Sequence, residues 1–92
     1  MKKLKEQDLQ EALTKLPQWA LTNGELVRTW TFPDFVSAIA FVNQVAQQAE
    51  AAGHHPDIDI RYNRVKLALV THDAGGITSN DIEMASNLNN LE

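Results

Sequence analysis

Leu9, Ala12, Leu13 and Leu16 recur at the i, i+3, i+4, i+7 spacing of one helix face, and Pro17 ends the pattern. The period then changes. Trp19–Thr22 and Glu25–Thr31 flank Asn23-Gly24, a dipeptide suited to the type I′ turn because both central residues need positive φ. In the second of these strands Leu26, Arg28, Trp30 and Phe32 share one face, and Val27, Thr29 and Thr31 share the other. Pro33-Asp34 opens a long helix with Asp34 as its cap. A stripe through Phe35, Ala38, Ile39, Val42, Val45, Ala49 and Ala52 predicts its buried side, and Gly53 stops it.

Alternation returns beyond the helix. Ile58, Ile60 and Tyr62 alternate with Asp57, Asp59 and Arg61, the period of a half-buried strand. Asn63 makes a turn, and Val65, Leu67 and Leu69 continue the pattern. Asp73-Ala74-Gly75-Gly76 reads as a flexible loop. The last helix has Thr78 and Asp81 in capping-box positions, with Ile77 and Ile82 as a hydrophobic staple. Ile82, Ala85 and Leu88 form a core stripe. Met84, Leu88 and Leu91 form a second one, predicting a strip left over for another subunit. The order αββαββα predicts an α+β fold: a four-stranded antiparallel sheet with helices packed on one face, as a single domain over residues 1–92.

Composition narrows the function classes. A chain of 92 residues buries roughly 60–65% of its unfolded surface, enough for one core. The net charge of −4, without a basic run, gives no support for nucleic-acid binding through phosphate neutralisation. No cysteine is present, so disulfides, thiolate zinc sites and thiol nucleophiles are excluded. No apolar segment could span a bilayer, and the polar start lacks a signal core. A cytoplasmic location, with no membrane partner, is the expectation.

The chemistry gathers in one stretch. All three histidines, His54, His55 and His72, fall within 19 residues, the first two after a helical pattern and the third after a strand pattern, and imidazole is the side chain whose proton is in play near neutrality. Glu50 and His54 are four apart at a helix end, so they can face the same way. Pro56 stiffens the exit and biases His55 toward extended geometry. Three neutral imidazoles could hold zinc, yet neighbouring histidines in extended backbone point apart, and neither H-x-E nor H-E-x-x-H is present. Ser37, Ser79 and Ser86 have plain helical or capping readings, and Gly75-Gly76 fits no phosphate-binding pattern.

Glu50, His54-His55-Pro56, Tyr62, His72 and Asp81, with the surrounding Gln48-Ala49-Glu50, Tyr62-Asn63-Arg64-Val65 and Thr71-His72, resemble the pterin-4a-carbinolamine dehydratases, also known as dimerisation cofactors of a hepatocyte nuclear factor. With Trp19 and Phe32 to Val45 upstream, the resemblance covers almost the entire chain. It implies dehydration of 4a-hydroxytetrahydropterin to quinonoid dihydropterin, without metal or separate cofactor, in recycling of the pterin used by aromatic amino-acid hydroxylases. It further implies His54 and His72 as acid and base and His55 as a third site histidine that orients the pterin. Glu50, Asp81, Trp19 and Pro56 would bind substrate or hold the site. A homodimer or homotetramer, coupled to a hydroxylase, follows from the same likeness. The alternative it leaves open is a non-catalytic binding or assembly protein on the same scaffold. Gly53 and Asn80 depart from the residues common among relatives, which predicts a looser corner at Gly53.

Overall fold

The computed structural model describes residues 2–91. Helix α1 spans Glu6–Thr14, strands β1 and β2 span Ala20–Thr22 and Glu25–Thr31, and helix α2 spans Phe35–Ala52. Strands β3 and β4 cover Asp57–Arg61 and Arg64–Leu69, a single 3-10 turn covers His72–Ala74, and helix α3 covers Ser79–Asn89. The four strands form one antiparallel sheet, as the element order predicts, and they lie in the order β1-β2-β4-β3. Asn23 and Gly24 take φ of 52° and 80°, the positive values that the first hairpin turn requires.

Register decides which side chains meet the helices. Leu26 pairs with Leu69, Arg28 with Leu67 and Trp30 with Val65, so the large apolar residues Leu26, Trp30, Val65, Leu67 and Leu69 point to one face. Ala38, Phe41, Val45 and Ala49 of α2 and Met84, Ala85 and Leu88 of α3 close over them, with Leu9 of α1. The other face is mostly polar and carries Thr29, Thr31, Asp59, Arg61, Arg64 and Lys66, all exposed, beside the Val27–Ala68 pair. No helix among the described residues is long and apolar enough to cross a membrane.

Three local expectations change. The buried arc of α2 is centred about 40° from the predicted stripe at 100° per residue, because it takes in Phe41 and leaves Phe35 and Ala52 exposed. Phe41 is drawn round by Trp30 and Phe32, whose ring centroids lie 4.8 and 5.1 Å from its own. Ile58 and Ile60 do face the helix side, opposite Leu67 and Val65, but β3 is an edge strand and both stay exposed. Met84 and Leu88, predicted to leave a strip for a second subunit, are buried in the protein's own core.

Candidate active site

Gly53 ends α2 in the left-handed region, at φ 64°, where its backbone N–H still caps the helix. The corner predicted to be loose is therefore a defined C-cap. It also breaks the i, i+4 relation of Glu50 and His54. Beyond the cap His54 turns inward and His55 outward, so Glu50 pairs with His55 instead: Oε2 lies 2.5 Å from His55 Nε2. The His55 and Glu50 side chains are 60% and 78% exposed, and a pair so open to solvent orients a ring more than it stabilises a fold. Pro56, next in the chain, is buried.

His54 has a different partner. Its Nε2 lies 2.5 Å from Oδ1 of Asp81, in the first turn of α3; His54 is 15% exposed and Asp81 not at all. The other carboxylate oxygen accepts from the Thr78 backbone N–H at 2.9 Å, the side-chain-to-cap bond that the capping box predicts, and from the Thr71 hydroxyl at 2.8 Å. Thr71 and Thr78 hydroxyls are 2.9 Å apart. A buried carboxylate must be compensated by donors, and these supply them. Since a carboxylate only accepts, the proton in the His54–Asp81 bond belongs to Nε2, which leaves Nδ1 as the ring nitrogen free for chemistry.

His72 reaches the same place from β4. The loop predicted to be flexible is closed: Thr71 and Gly76 exchange backbone hydrogen bonds of 3.0 and 3.3 Å, and between them His72 opens the 3-10 turn with its side chain exposed. Gly53, His54, His55, Val70, Thr71, His72 and Asp73 line one open concavity of about 290 Å³. All three histidines thus border one hollow, with Glu50 bonded to one of them and Asp81 to another. His54 also borders a smaller hollow of about 150 Å³ with Asn80, Glu83 and Asn87.

Trp19 lies elsewhere. It is buried against Trp30, edge to face at 5.7 Å, and its indole N–H donates to Asn89 Oδ1 at 2.8 Å. Asn89 is eight residues along α3 from Asp81, ~12 Å at 1.5 Å per residue, so Trp19 stands at the opposite end of that helix from the histidines. Sequence reasoning missed Thr71 and, as a site residue, Thr78. The box Thr78–Asp81 was visible as a cap, but nothing local signals that the end of β4 would place Thr71 beside it. Among the described residues no three histidine, aspartate or glutamate side chains converge to hold a metal ion. The arrangement is suited to proton transfer: two imidazoles anchored by carboxylates, and a third histidine lining the same concavity.

Residues 2–91 match the family described as Pterin 4 alpha carbinolamine dehydratase. A protein of Acidobacterium capsulatum named "Putative pterin-4-alpha-carbinolamine dehydratase" is 56% identical over 91 residues, covering 99% of each chain. One of the same name from Chloroflexus aurantiacus is 55% identical over 91 residues, covering 99% of this chain and 98% of its own. Among solved structures, a transcriptional coactivator/pterin dehydratase from Brucella melitensis superposes with a TM-score of 0.91 at 37% identity, over 97% of both chains. A pterin dehydratase-like protein described as a RuBisCO assembly factor of the alpha-carboxysome shares the fold, at a TM-score of 0.65 and 20% identity over 79% of this chain and 84% of its own.

Proposed function

The chain belongs to the pterin 4 alpha carbinolamine dehydratase family, and from that premise we propose that it is a 4a-hydroxytetrahydrobiopterin dehydratase, a hydro-lyase acting on 4a-hydroxytetrahydropterins. In that reaction the C4a–O bond breaks, the hydroxyl leaves as water, and loss of the N5 proton gives the C4a=N5 bond of the quinonoid dihydropterin. One proton is delivered and one removed, so the chemistry asks for an acid and a base at separate points of one ring.

The observation that carries the reading is the meeting of His54, His55 and His72 on one concavity, with His54 locked by a buried carboxylate. His54 and His72 are the acid and base, His54 working through Nδ1. His55, steadied by Glu50, orients the pterin. A positioned acid or base contributes typically 10²–10⁴-fold. The protein acts as a single dehydratase domain over residues 1–92, in the cytoplasm, as a homodimer or homotetramer. It serves an aromatic amino-acid hydroxylase by returning its spent pterin.

The test is turnover of a chemically generated carbinolamine, followed by the appearance of quinonoid dihydropterin. Acceleration that persists in excess chelator is the expected result. A rate abolished by chelator and restored by zinc would overturn the metal-free mechanism. A protein with no acceleration at all would leave the assembly reading, for which a carboxylate buried beneath an imidazole has no evident use.

A further inference from the structure

Two halves of the proposed site come from distant parts of the chain. His54 follows α2 and rests on Asp81 in α3, whereas His72 rides on the turn after β4, and no hydrogen bond runs directly between the two imidazoles. What joins them is one side chain. Thr71 precedes His72 and caps its turn; its backbone, at φ −107° and ψ 97°, is held to Gly76 by a pair of hydrogen bonds. Its hydroxyl lies 2.8 Å from Asp81 Oδ2 and 2.9 Å from the Thr78 hydroxyl.

A hydroxyl has one proton to give. Asp81 can only accept, so Thr71 donates to Asp81 and accepts from Thr78, whose own hydroxyl is 3.5 Å from the carboxylate, at the limit of hydrogen-bonding distance. The relay therefore runs from Thr78 to Thr71 to Asp81, and Asp81 in turn takes the proton-bearing Nε2 of His54. We infer that Thr71 is a positioning residue: its hydroxyl ties the turn bearing His72 to the buried Asp81–His54 pair and so fixes the two imidazoles relative to each other. The inference deepens the proposed dehydratase reading and rests on it for its kinetic consequences, though not for its spectroscopic ones.

Thr71→Val keeps the β-branched shape and the extended backbone and removes only the hydroxyl. In the carbinolamine assay it lowers kcat roughly tenfold or more, the scale of losing a hydrogen bond that holds a catalytic side chain in place, with KM changed less than about twofold, because the hydroxyl removed is engaged by Asp81 and Thr78 and the side chain keeps its shape where Thr71 lines the concavity. Thr71→Ser, which keeps the donor, retains at least about a third of kcat. In nitrogen-15 NMR the neutral His54 ring shows the Nε2–H tautomer in the wild type and a mixture in Thr71→Val, a change that simple loss of stability would not give.

A Thr71→Val protein with kcat within about threefold of wild type and unchanged His54 nitrogen shifts would overturn the inference. Should that variant fail to fold, the wild type alone decides. A Thr71 hydroxyl proton slow enough in exchange to be observed supports the bond, and one lost to rapid exchange with water removes it. A wild type without dehydratase activity but with the single His54 tautomer and its loss in Thr71→Val would refute the proposed reaction and leave the positioning role standing.

Discussion

His54 and His55 are adjacent, yet the left-handed Gly53 before them sends one to a fully buried aspartate and the other to an exposed glutamate. That difference in surroundings separates their expected roles. His54→Ala or His72→Ala should cost roughly 10²–10⁴-fold in the chemical step, whereas His55→Ala should act mainly on pterin binding and raise KM. Single-turnover kinetics on folded variants check this. Losses below about threefold for both His54→Ala and His72→Ala would move the chemistry to other residues. The two effects need not add, because a remaining imidazole can partly serve for a missing one.

Helix α2 shows how its two ends are set by single residues. At its start the Ser37 backbone N–H donates to Asp34 Oδ1 at 2.7 Å. That bond, followed by one with the Ser37 side chain, holds the Asp34 carboxyl below its ordinary value of 3.8. A depressed carboxyl contributes stability above its unfolded value and loses it as pH falls through the lower, folded one. An NMR titration of Asp34 should therefore give a midpoint below 3.8; a midpoint at or above that value would mean the cap is not made in solution. At the far end Gly53 has φ 64° and open space where a Cβ would stand. Gly53→Ala should thus cost only the left-handed backbone penalty, about 1–2 kcal/mol in urea unfolding, and a neutral substitution would refute that account. In α3, Leu88 is wholly buried. Leu88→Ala should cost about 2–5 kcal/mol through the cavity it leaves, without altering the state of assembly.

At the scale of the molecule, the sheet order leaves β1 and β3 as edges. An edge strand presents unpaired backbone donors and acceptors, and β3 adds the exposed Ile58 and Ile60, with Tyr62 exposed at its end. Sedimentation equilibrium at micromolar concentration should give a multiple of 10.3 kDa. Ile60→Lys should shift it toward the monomer, since Lys is a residue that blunts edge pairing. A wild-type monomer of 10.3 kDa would end the assembly claim and leave the catalytic one intact, because the three histidines border a concavity within one chain.

Local chemistry was enough to set the elements. Asn23-Gly24 can form the tight hairpin turn, Asp34 and Gly53 bound a helix, and alternation at Val65, Leu67 and Leu69 makes a strand, because each depends on neighbours a few residues away. The histidine motif was likewise readable, as were its flanking glutamate and aspartate. Partnership was not. The i, i+4 spacing paired Glu50 with His54, and only the reversal of direction at Gly53 gave that glutamate to His55. Thr71 was visible only as a flank of the motif, because its hydroxyl acquires meaning only when β4 ends beside the first turn of α3. The apolar residues of β3 and α3 read alike in one dimension, yet the sheet order left β3 at an edge and buried Met84 and Leu88. Pattern fixes which face of an element is apolar; what covers that face, and which groups share a buried proton, depends on chain segments distant in sequence that only packing brings together.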